Sequence, residues 1–148
     1  MEATEIRVRR LAAGISQAEL ARRAGTNQPA IAAYESGARR PGPDTLSRIE
    51  RSLLRPSEVL RTRRDAVLAR VARLADRVRV FGSVARGDDR FDSDIDLLID
   101  FRPGVSTWDQ AELLLDLQEL LAPVGVDQVS SSALRPRDSH ILREARDL

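Results

Sequence analysis

The chain has 148 residues, 42% hydrophobic and 32% charged, with a formal net charge of +1. That length and apolar content allow one ordinary domain or two very small ones and exclude a disordered polymer. Apolar runs of only a few residues exclude a bilayer-spanning segment. No Cys and a single His (His140) exclude disulfides, Cys-ligated zinc and a His-built metal centre. An acidic start (Met1–Glu5) with no apolar stretch behind it predicts no secretory leader and a cytoplasmic protein.

Helical signals come first. Ile6 and Leu11 among alanines predict a helix ending near Ala13–Gly14. Ser16-Gln17-Ala18-Glu19 reads as a capping box opening a helix through Leu20 and Ala24, broken by Gly25. Asn27 caps the next helix, Pro29 sits in its first turn, and Ile31 and Tyr34 mark its inner face up to Ser36–Gly37. After a loop, Asp44 is expected to cap a helix carrying Leu46, Ile49, Leu53 and Leu54. Beyond Pro56–Ser57 a long helix is predicted from about Glu58 to Ala75. The period then changes from 3.6 to 2, giving strands at Val78–Phe81 and Ile95–Phe101. Thr107–Leu121 reads as a helix with a Leu113, Leu114, Leu117, Leu120, Leu121 stripe and Trp108 as a core anchor near its start. A third strand at Val124–Val129 and a last helix holding Ile141–Leu142 close the chain, with His140 on the surface of that helix. The expected organisation is a helical domain over 1–56, a helical linker over 57–64 and a second domain over 65–148.

All 24 basic residues are Arg. Phosphate contacts must therefore come from guanidinium or backbone N–H groups, and Lys-dependent Schiff-base or P-loop chemistry is excluded. Residues 1–60 hold ten Arg against seven acids, residues 61–148 fourteen against sixteen. The change of sign hints at two functions, one facing a polyanion.

Within the first half, a capped helix, a Gly25 turn and a second helix at a steep angle would let that second helix enter a major groove. Arg22, Arg23, Arg39 and Arg40 are placed to offset phosphate charge. Gly14-Ile15-Ser16-Gln17-Ala18-Glu19-Leu20-Ala21, Ala24-Gly25, Ile31, Tyr34-Glu35-Ser36-Gly37, Arg40-Pro41 and Thr45-Leu46 resemble the Cro/repressor (Xre-like) helix-turn-helix family. The resemblance implies Gln17, Asn27, Gln28 and Ala33 near base edges and Thr26, Arg39 and Arg40 near phosphates. Gln28 is the main polar reader, suited to adenine, and Ala30, Ala32 and Ala33 offer methyl contacts. A dimer on a two-fold site in double-stranded DNA is expected. A protein-interaction module of the same shape is the alternative.

In the second half, Phe81-Gly82-Ser83-Val84-Ala85-Arg86-Gly87 follows a strand and reads as a strand–turn–helix with an anion cradle at Gly82 and Ser83. Ten residues separate Ser83 from Asp94, which opens Asp94-Ile95-Asp96. Alternation along a strand puts Asp94 and Asp96 on one face, about 6–7 Å apart, and Ile95 and Leu97 on the other. Two carboxylates on one face suit a divalent cation such as Mg²⁺; the plain alternative is a solvated acidic face. Arg86 either offsets phosphate charge or pairs with Asp88 or Asp89.

Gly-Ser, ten residues and Asp-x-Asp together resemble the DNA polymerase β-like nucleotidyltransferases, in particular their minimal branch. Val126-Asp127 and the segment from Leu134-Arg135-Pro136 to Ile141-Leu142-Arg143-Glu144-Ala145 extend the likeness. It implies a small α/β domain with a short mixed sheet behind the all-α helix-turn-helix domain. It further implies Gly82 and Ser83 on the β- and γ-phosphates of ATP, and Asp94, Asp96 and Asp127 as catalytic Mg²⁺ ligands. Asp127 would also help deprotonate the acceptor hydroxyl. Gln128 departs from the apolar residue usual after the third Asp. Members of the branch commonly act as antitoxins that transfer AMP to a HEPN-family toxin. The implied role is therefore an antitoxin that modifies its toxin and represses its own promoter, as a homodimer or toxin–antitoxin hetero-oligomer. A regulator whose second domain only senses nucleotide or binds a partner is the alternative.

Overall fold

The computed structural model describes residues 1–148, which form two compact units, Met1–Leu54 and Arg55–Leu148.

The first unit holds helices α1 (Ala3–Ala12), α2 (Gln17–Arg23), α3 (Gln28–Glu35) and α4 (Pro43–Leu53). Local chemistry sets their ends. The Ser16 hydroxyl accepts from the Glu19 N–H at 3.0 Å, and Asn27 Oδ1 accepts from the Ala30 N–H at 2.9 Å. Gly25 has φ +64°, the left-handed value its turn between α2 and α3 demands. Two details differ from expectation. The Glu19 carboxylate turns along its own helix to Arg22 and Arg23 instead of back to Ser16, so the N-terminus of α2 is capped from one side only. Gly42, not Asp44, is the N-cap of α4: Pro43 already takes helical φ, which draws Asp44 into the first turn. Ile6, Leu20, Ala21, Ala24, Ala30, Ile31, Tyr34, Ile49 and Leu53 form the core.

The second unit is a four-stranded mixed sheet of order β3-β2-β1-β4. Helices α5 (Pro56–Thr62) and α6 (Arg64–Val71) lead to β1 (Ala75–Phe81). A short helix α7 (Gly82–Arg86), β2 (Ile95–Phe101), α8 (Thr107–Leu121), β3 (Val126–Ser130), α9 (Ser139–Glu144) and β4 (Arg146–Asp147) follow. The β2–α8–β3 segment is the parallel crossover; β1 runs antiparallel to β2 and to β4. In β2, Ile95, Leu97, Leu98 and Ile99 are all 0% exposed, as fits a strand with neighbours on both sides and cover on both faces.

The single long helix predicted from Glu58 to Ala75 is two helices. Arg63 leaves helical geometry (φ −112°, ψ 13°), and its guanidinium donates to the carbonyls of Leu120 and Ala122 at the C-terminal end of α8. Most of 57–64, expected as a linker, is helical, but Val59 and Leu60 are buried. The third strand starts at Val126, two residues later than expected, and β4 was not anticipated. Trp108 is not a core anchor. It is 86% exposed, because α8 meets its neighbours through Leu113, Leu117 and Leu121, and Trp108 lies roughly 140° around the helix from Leu113. His140 is exposed on α9.

Candidate functional site

In the second unit, β1 ends at Phe81, whose partner across β2 is Asp96. On the other side of β2, Asp96 is in register with Asp127 of β3. The two carboxyl-bearing residues are thus lateral neighbours on adjacent parallel strands, and Asp94 lies one residue before β2. Burial pushes the Asp96 carboxyl above its ordinary value; the charges of Asp127, Asp94 and Glu144 act the same way, against Arg86. Asp127 is exposed and reachable from solvent.

Gly82 opens the turn after β1 with φ +69°. A Cβ there would collide with Asp96 Oδ2, so only glycine lets the turn lie directly against that carboxylate. Half-buried Ser83 follows, its carbonyl accepting from the N–H groups of Gly87 (3.0 Å) and Asp88 (3.1 Å), which closes α7. The glycine turn, Asp96 and Asp127 therefore form one continuous surface.

Arg86 pairs with Asp88 at 3.4 Å, as one expectation had it, and with Glu144 at 3.2 Å. Asp89 is not its partner. That side chain is 1% exposed, accepts from the Ser57 N–H at 2.9 Å and pairs with Arg55 at 3.2 Å, anchoring the loop after α7 to the start of α5. Sequence reasoning offered Asp89 only as an alternative partner of Arg86 and gave Glu144 no individual role. Each acts across a long stretch of chain, and nothing local marks it. Gln128 faces away from Asp127, as alternation requires. Its amide donates to the Gln110 carbonyl of α8 at 3.0 Å, and its Oε1 is buried without a partner.

The site carries hard oxygen donors, the set that Mg²⁺ prefers. No group of three or more acidic, His or Cys side chains is arranged as a ready cage. This is compatible with Mg²⁺, which usually takes one or two carboxylates and completes its shell with water and substrate phosphates. Asp96 and Asp127, with Asp94 beside them, are the residues that would hold it.

In the first unit a chain of hydrogen bonds runs from the interior to the exposed start of α3. Arg10 is buried and pairs with Glu35 at 2.5 and 3.0 Å. Glu35 accepts from Gln17 Nε2 at 2.8 Å, and Gln17 Oε1 accepts from Gln28 Nε2 at 2.8 Å. Gln17 is thereby half-buried and committed to protein partners, whereas Gln28 is exposed and held in one orientation. Burial pushes the Glu35 carboxyl up, but hydrogen bonds from Arg10 and Gln17 outweigh it and leave it below the ordinary value. Asn27 spends its side-chain oxygen on the cap. Thr26 and Ala33 are half-buried. Arg39 and Arg40 are exposed, with the Arg39 guanidinium 5.9 Å from the centre of the Tyr34 ring. Arg22 and Arg23 are engaged by Glu19, whose carboxyl they hold down at about 2.

This is the construction of a helix-turn-helix domain joined to an α/β nucleotidyltransferase domain. Residues 60–146 match the nucleotidyltransferase domain family, to which the chain belongs, and residues 6–60 match the helix-turn-helix family. A Methanocaldococcus jannaschii protein named "putative protein adenylyltransferase" is 37% identical over 73 residues, 49% of this chain and 77% of that one. A solved structure described as a "putative minimal nucleotidyltransferase" is 54% identical, covering 62% of this chain and 95% of its own, with a TM-score of 0.57.

Proposed function

We propose that the chain is a Mg²⁺-dependent protein nucleotidyltransferase that transfers AMP from ATP to a hydroxyl of a HEPN-family toxin, and that its helix-turn-helix domain represses its own promoter as an antitoxin in the cytoplasm. The observation that carries the transferase reading is the apposition of Gly82 to Asp96, with Asp127 in register beside it. The kinship with an adenylyltransferase relative favours AMP and a protein acceptor.

In this mechanism the Gly82 N–H and Ser83 receive the β- and γ-phosphates, and Arg86 offsets charge on the departing pyrophosphate. Bound Mg²⁺ supplies charge neutralisation along the phosphates. Asp127, exposed to the approaching acceptor, takes the proton from its hydroxyl. The hydroxyl oxygen bonds to the α-phosphorus in line with the bond that breaks to pyrophosphate. The added phosphate would repel RNA from the toxin.

Incubation with labelled ATP, Mg²⁺ and the HEPN partner is expected to label the partner, and Asp94→Ala with Asp96→Ala to abolish the labelling. Equal labelling by wild type and double variant overturns catalysis and leaves a nucleotide sensor or scaffold. Labelling of an aminoglycoside with no protein present would assign a small-molecule acceptor instead. For the first domain, affinity for promoter DNA should fall steeply with salt and be lost in Gln28→Ala/Arg40→Ala. Unchanged binding by that variant refutes docking of α3 in the groove.

A further inference from the structure

The proposed phosphate seat already holds an anion belonging to the protein. Glu144, the last residue of α9, reaches back to the turn after β1: its Oε2 accepts from the Gly82 N–H at 3.3 Å. Arg86 Nη1 lies 3.2 Å from both Oε1 and Oε2 of the same carboxylate. Glu144 is half-buried, and its charge also bears on Asp96. A carboxylate fixed by a backbone N–H and a guanidinium makes the contacts two phosphate oxygens would make. A backbone N–H has one hydrogen to give, so Gly82 cannot serve Glu144 and a triphosphate together.

We propose that Glu144 is an internal competitor for the nucleotide, a side chain that fills the phosphate seat by default and that a triphosphate must displace. The inference rests on the assignment of Gly82 and Arg86 to phosphate binding. Because Glu144 is tethered, it competes at a fixed high effective concentration. It therefore acts against ligands in proportion to their need for the Gly82 N–H and Arg86. A triphosphate feels it, and a bare nucleoside does not.

The test is equilibrium binding of MgATP and of adenosine to the full chain, wild type and Glu144→Gln. The variant keeps the size and an acceptor oxygen but removes the charge. MgATP is expected to bind roughly tenfold more tightly to Glu144→Gln, about 1.4 kcal/mol, with adenosine unchanged. Unchanged or weaker MgATP binding overturns the inference, as does equal tightening of both ligands. Hydrogen exchange in the wild type gives a reading independent of any substitution. MgATP should speed exchange of the α9 amides as Glu144 lets go, and slowed or unaltered exchange counts against it. MgATP binding by the wild type that Asp94→Asn abolishes, with no gain in Glu144→Gln, removes only the competitor. Absence of MgATP binding in both proteins removes the phosphate site itself.

Discussion

Replacing Gly82 by Ala separates backbone strain from the collision with Asp96. An L-residue at φ +69° costs about 1–2 kcal/mol, because its Cβ crowds the following carbonyl. The new Cβ also overlaps Asp96 Oδ2, so the aspartate must leave its rotamer, which costs about 0.5–1.5 kcal/mol more. In an Asp96→Ala background the second cost vanishes and the first remains. The coupling energy of the cycle should therefore equal that rotamer cost. Exchange of the Leu97, Leu98 and Ile99 amides is the appropriate readout, since residues at 0% exposure in a central strand are expected to open with the unfolding of the second unit. Gly82→Ala should also weaken MgATP binding more than its stability cost accounts for, because it moves a carboxylate at the site. Equal destabilisation in both backgrounds would refute the contact, and with it the unity of the turn and the acidic cluster.

Three further outcomes follow from groups in strained or buried surroundings. The Asp96 carboxyl sits above its ordinary value, so its stabilising contribution is complete below the unfolded-state value and is lost as pH rises through the folded one. Asp96→Asn should accordingly raise the melting temperature of the second unit at neutral pH and not in acid, while ending transfer; an equal shift at both pH values contradicts this. Glu35 is the opposite case. Its lowered carboxyl gives stability above the unfolded-state value that is lost as pH falls through the folded one. Glu35→Ala strands buried Arg10 and should cost about 3–5 kcal/mol, whereas Arg10→Met with Glu35→Leu should recover most of it in denaturant titrations. Gln128→Leu removes a buried oxygen that has no partner, along with one hydrogen bond to Gln110, and should change unfolding free energy by less than about 1 kcal/mol.

The helix ends at Ser16, Gly25 and Asn27 were legible because their causes are local, each acting within three residues of itself, whereas the start of α4 was placed at Asp44 instead of Gly42. The second unit was legible where period and spacing coincide, at the glycine turn and at Asp94-Ile95-Asp96. The break at Arg63 was hidden because no Pro or Gly marks it; the cause is a pair of carbonyls more than fifty residues away. The two-residue β4 is too short to show a period, and its register with Arg79 and Val80 is a tertiary fact. Glu144 was hidden for the same reason, since its partners lie 62 and 58 residues earlier. Trp108 misled because a large aromatic side chain usually signals burial, whereas helix phase decided its position.

The outward-facing indole of Trp108 is the chain's single one. At 86% exposure its emission in the native protein is expected to resemble that of a residue in water, and denaturation to shift it scarcely. A macromolecule settling over the start of α8 would move the spectrum to the blue. The chain therefore carries a built-in optical probe that is nearly blind to its own unfolding and responsive to whatever covers that helix.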